Sequence, residues 1–569
     1  MNDIRRTILW VIFGFSMVLL WDKWQIHNGN KATFFPSPPA QSQSQPAAAA
    51  PAASGTSGAS ELPVATASTT AQPPTDAPAA DAAPAAAPRE RVEVSTDVLR
   101  LAFDSEGGSL VHGELLQHPE MRDKSQPFVL LDESARRVYV AQTGLIGGSF
   151  PTHKTPMAVA PGPRTLQDGQ DTLEVRFESP DLGGVKLVKT WTLRRGAYDI
   201  GVRHEVVNTG TAPVAPQLYL QLVRDGNKPE GEATTFYSTF TGPAVYTEAK
   251  KYQKVDFKDI ENGKADIEKT SADGYVAMVQ HYFATAWLLA EGVQRELFVR
   301  KVDTNLYAVG MITPLGEIAP GQAKGVDARL FAGPQVETLL EQLAPGLELV
   351  KDYGWLTILA KPLYWLLDQL HKVLGNWGWS IVALVVLLKI AFYWLNAKAY
   401  SSMAKMKAIN PRIQEMRERL KDKPQQMQME MMRIYREEKV NPMGGCLPIM
   451  VQIPVFIALY WVLLSSVEMR NAPWIGWIHD LSSPDPYFIL PILMALSSLL
   501  QTALNPAPPD PMQAKLMWVM PLVFSIMFFF FPAGLVLYWL TNNLLSIAQQ
   551  WIINRRMGVP PQFNLPKFR

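Results

Sequence analysis

The rhythm of apolar and polar positions changes three times along the chain. Residues 7–21 are almost wholly apolar, follow Arg5 and Arg6, and open a candidate span over 7–26. This predicts a membrane anchor, with residues 1–6 held in the cytoplasm by the positive-inside rule. A cleaved signal peptide is the alternative. Asp22-Lys23-Trp24-Gln25 follows the run, however, in place of a small-residue cleavage site, and the paired arginines lack the rest of a twin-arginine export signal. Residues 27–90 are Ala, Pro, Ser, Gln and Thr with almost no aromatics after Phe35. Such a stretch cannot bury a core and predicts a flexible, partly extended tether. From 91 to 335 the period becomes two, as in Leu99-Arg-Leu-Ala-Phe103 and Leu173-Glu-Val-Arg-Phe-Glu178. Similar runs cover 184–194, 198–207, 214–223, 274–290, 295–302 and 304–312, separated by Gly, Pro, Asn and Asp. Many short strands with turn signals predict an all-β sandwich.

The period then becomes helical. Leu349, Tyr353, Leu356, Leu359, Leu363, Leu366, Leu367 and Leu370 share helical spacing, interrupted by Lys351, Asp352, Lys361, Asp368 and Lys372. Region 336–376 therefore predicts an amphipathic helix along the far membrane face, or alternatively one packed on the sandwich. Five apolar runs follow, at 377–397, 442–464, 487–503, 516–531 and 535–553. The insert 398–441 carries eleven Lys and Arg against six Asp and Glu, which predicts a cytoplasmic loop. Ile413, Met416 and Leu420 share one face, and Lys423-Pro424 breaks the run, so a helical hairpin fits. Loop 465–486 has Glu468, Asp480 and Asp485 against Arg470 alone, as a periplasmic loop should. A cytoplasmic turn at 504–515, a tight far-side turn at 532–534 and a tail at 554–569 with Arg555 and Arg556 complete the topology. The predicted fold is a polytopic α-helical membrane protein. It has six transmembrane helices, five of them in one bundle, both termini cytoplasmic, and a periplasmic β-sandwich. Spans of 16 to 17 residues are short for a core of ~30 Å and suggest local thinning of the bilayer.

Composition changes this picture little. The 569 residues carry a net charge of +1, which gives no argument for nucleic acid. The single cysteine, Cys446, excludes an internal disulfide and reads as a packed small residue. His112, His118, His153, His204 and His281 show no metal-ligand spacing. No G-x-S-x-G, H-E-x-x-H or Walker loop occurs, so the sequence predicts no enzyme, no cofactor and no metal. Gly107-Gly108 and Gly183-Gly184 read as turns. Met427, Met429, Met431 and Met432 form either a soft docking surface or ordinary hairpin packing.

The candidate chemistry is one charge in an oily run. Lys389 lies in the apolar stretch Ser380–Leu395, seven residues before Asn396. At ~1.5 Å per residue it is roughly 10 Å from the polar end. A cation at the bilayer centre costs about 2.5–3.5 kcal/mol, so such residues face a bundle interior or a watery cavity, or else snorkel to headgroups.

Several stretches together resemble one family. They are Lys361-Pro-Leu-Tyr-Trp-Leu-Leu367, Gly375-Asn-Trp-Gly-Trp-Ser380, Lys398-Ala-Tyr-Ser-Ser-Met-Ala-Lys-Met406, Glu438-Lys-Val-Asn-Pro-Met-Gly-Gly-Cys446, Trp477-Ile-His-Asp-Leu481 and Phe531-Pro-Ala-Gly-Leu-Val-Leu-Tyr-Trp539. They are similar to the YidC/Oxa/Alb membrane insertases, in the Gram-negative form with a large periplasmic domain. The resemblance implies insertion of membrane proteins into the inner membrane, alone or with the Sec translocon and its accessory subunits. It also implies ribosome or signal recognition contacts at the hairpin. It implies a polar groove open to the cytoplasm and to lipid, with Lys389, Gln501 and Trp539 at client-binding positions. Taken alone, Gln501 could belong to an interface and Trp539 to an aromatic belt. The chain departs from the family at Lys389, where most relatives carry Arg, and at Trp394, where close relatives carry Pro. Lys keeps the charge and loses the planar fork. Two other classes compete with this one. A secondary transporter would show paired inverted repeats, which the five bundle spans lack. A sugar-binding or sugar-modifying role would rest on fold analogy alone.

Overall fold

The computed structural model describes residues 62–63, 89–121, 123–229, 239–420, 423–438, 447–505, 511–556 and 558. The predicted anchor at 7–26, most of the tether, Cys446 and most of the tail lie outside these residues. The described residues form two compact units that divide between Lys351 and Asp352.

The first unit is built from strands. β1 (Arg91–Ser95), β2 (Leu99–Asp104), β3 (Ser109–Pro119), β4 (Pro127–Glu133), β5 (Val138–Ile146) and β6 (Ala158–Val159) come first. β7 (Thr172–Glu178), β8 (Val185–Arg194), β9 (Asp199–Asn208), β10 (Gln217–Asp225), β11 (Gly242–Thr247) and β12 (Lys251–Lys254) follow. After helix α1 (Phe257–Glu261) come β13 (Thr270–Ser271), β14 (Tyr275–Val279), β15 (Phe283–Leu289), β16 (Arg295–Asp303), β17 (Leu306–Pro314) and β18 (Ala323–Pro334), then α2 (Glu337–Leu343). Two nine-stranded antiparallel sheets result, in the orders β1-β2-β3-β4-β5-β10-β17-β16-β13 and β12-β11-β14-β15-β18-β9-β8-β7-β6. The apolar run 274–290 is not one strand. Gln280 N–H donates to Phe283 O at 2.9 Å, and the run folds into the β14–β15 hairpin.

Alternation explains the layering. In β7 the buried residues are Leu173, Val175 and Phe177, with exposed residues between them. Phe103 of the first sheet meets Trp191 of the second at 5.0 Å between ring centres, and Trp191 meets Trp287 at 6.1 Å. Each such side chain contributes about 1.5–3 kcal/mol or more on burial. Cations enter this interior too, among them Lys189 and Arg224. Lys189 is fully buried, and its Nζ donates to Gly107 O at 2.5 Å and Thr143 O at 2.7 Å. Desolvation pulls its pKa down to about 7. The histidines are spent on structure: His204 Nε2 lies 2.9 Å from Thr143 Oγ1, and His153 Nδ1 lies 2.6 Å from Tyr219 OH. Among the described residues no group of His, Cys, Asp and Glu could hold a metal.

The second unit is helical. It comprises α3 (Thr357–Leu374), α4 (Trp377–Ala391), α5 (Tyr393–Arg419), α6 (Pro424–Glu437), α7 (Leu447–Ser465), α8 (Ile489–Leu504), α9 (Pro511–Met527) and α10 (Ala533–Arg556). Local chemistry sets the α3–α4 corner. Gly375 takes φ +65°, a conformation that suits glycine, and its N–H bonds His371 O at 2.8 Å. Asn376 then caps α4 by accepting Trp379 N–H at 3.1 Å. One face of α3 (Ala360, Tyr364, Leu367) joins a core with Ile381, Leu384, Leu459, Val462, Leu490 and Val536. The other leaves Ile358, Trp365 and Val373 exposed, at 86%, 62% and 83%.

Where the hydrophobic pattern predicts one helix over 377–397, the chain forms two, bent by 66° at Phe392 with no proline at the break. The hairpin helix therefore starts inside the apolar run, at Tyr393. Among the described residues no single helix is both long and apolar enough to cross a membrane. Trp377–Ala391 with Tyr393–Ser402 qualifies as a bent pair, and Gln452–Ser465, Ile489–Leu504 and Lys515–Phe530 are shorter apolar helices. In the hairpin, Ile409, Ile413 and Met416 of α5 pack on Ile434 of α6 with Met427 and Met431. Met429 and Met432 stay exposed, so the methionine cluster splits between packing and surface.

The loop after α7 is held by two aspartates. Asp480 accepts from Asn471 N–H, Ser482 N–H and the hydroxyls of Ser482 and Ser483, at 2.7–3.1 Å. Asp485 accepts Trp477 Nε1–H at 3.1 Å, Tyr487 N–H at 3.0 Å and Leu490 N–H at 2.7 Å, the last at the start of α8. The turn before α10 is pinned to this loop by Ala533 N–H on Ser483 O at 2.8 Å and Gly534 N–H on Leu481 O at 2.9 Å.

Candidate functional site

The helical unit inverts the usual arrangement of a water-soluble bundle. Large apolar side chains face outward, among them Leu496 of α8 and Val523 and Ile526 of α9, at 58%, 56% and 63% exposure. Polar side chains of α10 face inward: Asn542, Asn543, Ser546, Gln549, Gln550 and Asn554 are all buried. Their spacing of three, four and one keeps them on one stripe. Buried polar groups need partners, and the stripe finds them on facing helices. Asn543 Nδ2 donates to Ser497 Oγ at 3.1 Å and Ser498 Oγ at 2.9 Å in α8. Gln550 Nε2 donates to Asn505 Oδ1 at 3.1 Å.

Lys389 of α4 points at this stripe. Its Nζ donates to Ser546 Oγ at 2.7 Å, and Ser546 Oγ donates to Asn542 O at 2.7 Å one turn back. The Tyr400 hydroxyl of α5 also bonds Ser546. Among the described residues no carboxylate lies within ion-pair distance of Lys389. Among these residues its ammonium is held by a neutral hydroxyl. Beside it is a cavity of about 40 Å³, lined by Val385, Leu388, Phe392, Leu395, Asn396, Gln452, Val455, Tyr538 and Asn542. That is room for a few waters next to a cation and three amides. The bend at Phe392 turns Asn396 into this wall.

The three sequence-predicted positions separate. Lys389 is at the cavity. Trp539 follows Tyr538 of the wall, yet its ring packs at 4.6 Å edge-on against Phe456 and 5.3 Å from Phe528. Gln501 lies half-buried in α8 and, among the described residues, is not part of the wall. Sequence reasoning missed Ser546, Asn542, Asn396, Gln452 and Tyr400. The signal was present as polar residues at 542, 546, 549 and 550 in an otherwise apolar run.

Comparison with known proteins gives the same frame from a different direction. A family model described as "YidC periplasmic domain" matches residues 91–366, and one described as "60Kd inner membrane protein" matches 369–559. A protein of Cupriavidus necator named "Membrane protein insertase YidC" is 58% identical over 556 residues, covering 98% of both chains. Equally named proteins of Ralstonia nicotianae and Burkholderia multivorans are 55% and 53% identical, covering 98% of this chain and 98% and 99% of their own. A solved structure titled "Active YidC insertase crystal structure with the first transmembrane domain resolved" aligns over 81% of this chain and 92% of its own, with 19% identity and a TM-score of 0.38. From its matches and its near end-to-end relatives, this chain belongs to the YidC family of membrane protein insertases, with a β-rich periplasmic domain of two antiparallel sheets followed by a helical inner-membrane part.

Proposed function

We propose that this protein inserts integral membrane proteins into the inner membrane and helps them fold, using Lys389 as the receptor for an acidic segment of the client. The observation that carries the reading is a half-buried cation with no carboxylate partner among the described residues, beside a cavity, in a bundle that turns apolar side chains outward. An acidic tail arriving at 4 Å from Nζ gains about 4 kcal/mol at an effective dielectric near 20. That gain offsets part of the cost of drawing the tail partway into the bilayer. The client's apolar segment then slides along α7 and α9 and leaves into lipid. Burial of about 20 apolar residues drives the transfer without a nucleotide. Prolines inside α7 and α9, Pro454 and Pro521, lend these helices room to bend.

In this reading the chain crosses the membrane six times, with both termini cytoplasmic and the sandwich periplasmic. The groove extends from Lys389 to Gln501 and Trp539. The hairpin, with Met429 and Met432 exposed beside Arg433 and Arg436, receives ribosome or signal recognition components. The Sec translocon and its accessory subunits are partners for larger clients. The test uses purified protein in liposomes without ATP and a short single-span client with an acidic tail. Wild type is expected to insert it and Lys389→Leu to fail. Equal insertion by both would return Lys389 to a snorkelling residue and sink the proposed role of the charge.

A further inference from the structure

The outward face of the first sheet carries a row that neither the packing of the sandwich nor the insertase reading uses. Tyr139 of β5 sends its hydroxyl to Thr285 Oγ1 in the second sheet at 2.7 Å, so its neighbour Val140 points away from the interior. On that outward side Gln142, Gln221, Gly310 and Phe298 are register partners across β5, β10, β17 and β16. The next row is Val140, Val223, Ala308 and Arg300. Val140, Val223 and Ala308 form an apolar floor with Val111 and Val302, and Phe298 packs against it. The Arg300 guanidinium lies 5.6 Å from the Phe298 ring centre, and its Nη2 donates to Gln221 Oε1 at 3.4 Å. Gln221 Nε2 in turn donates to Gln142 Oε1 at 2.9 Å. A floor of valines beside an arginine tied to two glutamines is a site for a short apolar segment that offers a carbonyl.

Such a segment is present. Leu62 and Pro63 belong to the Ala/Pro-rich stretch before β1, yet Arg300 Nη1 donates to Leu62 O at 2.7 Å and Pro63 is buried. We infer that the outer face of the first sheet is a peptide-binding site, and that its occupant is Leu62–Pro63 of the same chain. The chemistry of the pair suits a sheet face. A face offers no backbone groups for strand addition, so side-chain donors must hold the segment. Pro63 has no N–H to leave unsatisfied when buried. The residue before a proline is confined to extended conformations, so little chain entropy is lost on docking. The Leu62 carbonyl meets a charge-assisted donor. Residue 62 is thereby a fixed point ahead of β1.

The test places a photoreactive p-benzoylphenylalanine at position 298 of the full-length protein in lipid nanodiscs. After irradiation, digestion and mass spectrometry, an adduct between the β16 peptide and the peptide carrying Leu62 is expected. The double variant Leu62→Asp, Pro63→Gly should lower its yield at least fivefold. These substitutions lie outside the sandwich strands, so its circular dichroism serves as the fold control. Arg300→Ala should lower the yield similarly. No tether adduct, an adduct indifferent to the tether variant, or an adduct formed only between isotopically distinct chains would each overturn the inference.

Discussion

Replacing Ser546 with alanine removes one oxygen shared by three groups. Ser546 Oγ accepts from Lys389 Nζ at 2.7 Å, donates to Asn542 O at 2.7 Å and bonds the Tyr400 hydroxyl. The Asn542 carbonyl remains within the α10 backbone and Tyr400 is only half-buried, so neither is stranded by the change. The Lys389 ammonium loses the group that fixes it at the cavity wall. A hydrogen bond to a charged group is worth about 1.5–3 kcal/mol, so Lys389 should spend at least tenfold less of its time aimed into the cavity. If the aimed ammonium receives the client's acidic tail, insertion of an acidic-tailed client slows by roughly tenfold, since ~1.4 kcal/mol is one decade in rate. A client with a neutral tail should hardly respond. The assay is a double-mutant cycle in proteoliposomes, with Ser546→Ala measured in wild-type and Lys389→Leu backgrounds. In the second background the serine change should cost nothing further. Equal losses in both backgrounds, or equal losses for acidic and neutral tails, would show that the hydroxyl acts on the fold and would refute the positioning argument.

Two further outcomes follow from groups outside the bundle helices. Asp485→Ala leaves Trp477 Nε1–H and the N–H groups of Tyr487 and Leu490 without their shared acceptor. At ~1.5–3 kcal/mol for each charge-assisted bond, partly recovered by water, the loss should reach ~3 kcal/mol; thermal unfolding in detergent measures it, and a change below ~1 kcal/mol would contradict the capping role. Desolvation, with Lys189 and Arg300 nearby, lowers the His153 pKa from 6.5 to about 4. Between these values the unfolded chain binds a proton that the folded one does not, so stability should fall as pH drops from 6.5 towards 4, by up to ~3 kcal/mol. His204, whose pKa is also lowered by burial, adds to the same slope. Denaturant unfolding followed by sandwich fluorescence across this window is the measurement. His153→Gln should flatten the curve, and an unchanged slope would reject the assignment.

The strand rhythm of the β domain was legible because one face of each strand is buried and the other is wet. Leu173, Val175 and Phe177 announce themselves in any reading of period two. Run 274–290 misled because β14 and β15 are buried on both faces and have no polar alternation to mark the turn at Gln280. The bend at Phe392 was hidden for a related reason. Hydropathy reports an oily environment and carries no information about direction, so a helix that turns by 66° inside that environment reads as one span.

The site follows the same logic. Lys389 stood out because a cation among aliphatic residues has few physical explanations. Its partners did not, because Ser, Asn and Gln are common at span ends and individually ambiguous. Only their arithmetic, 542, 546, 549 and 550 on one stripe, shows that they face a common interior. The tether failed in the opposite sense. Composition predicts that an Ala/Pro-rich stretch builds no core of its own. It does not follow that no residue of it finds a place on a core built elsewhere. One carbonyl, that of Leu62, is enough to meet Arg300 beside its valine floor, and a window wide enough to measure composition averages such a pair away.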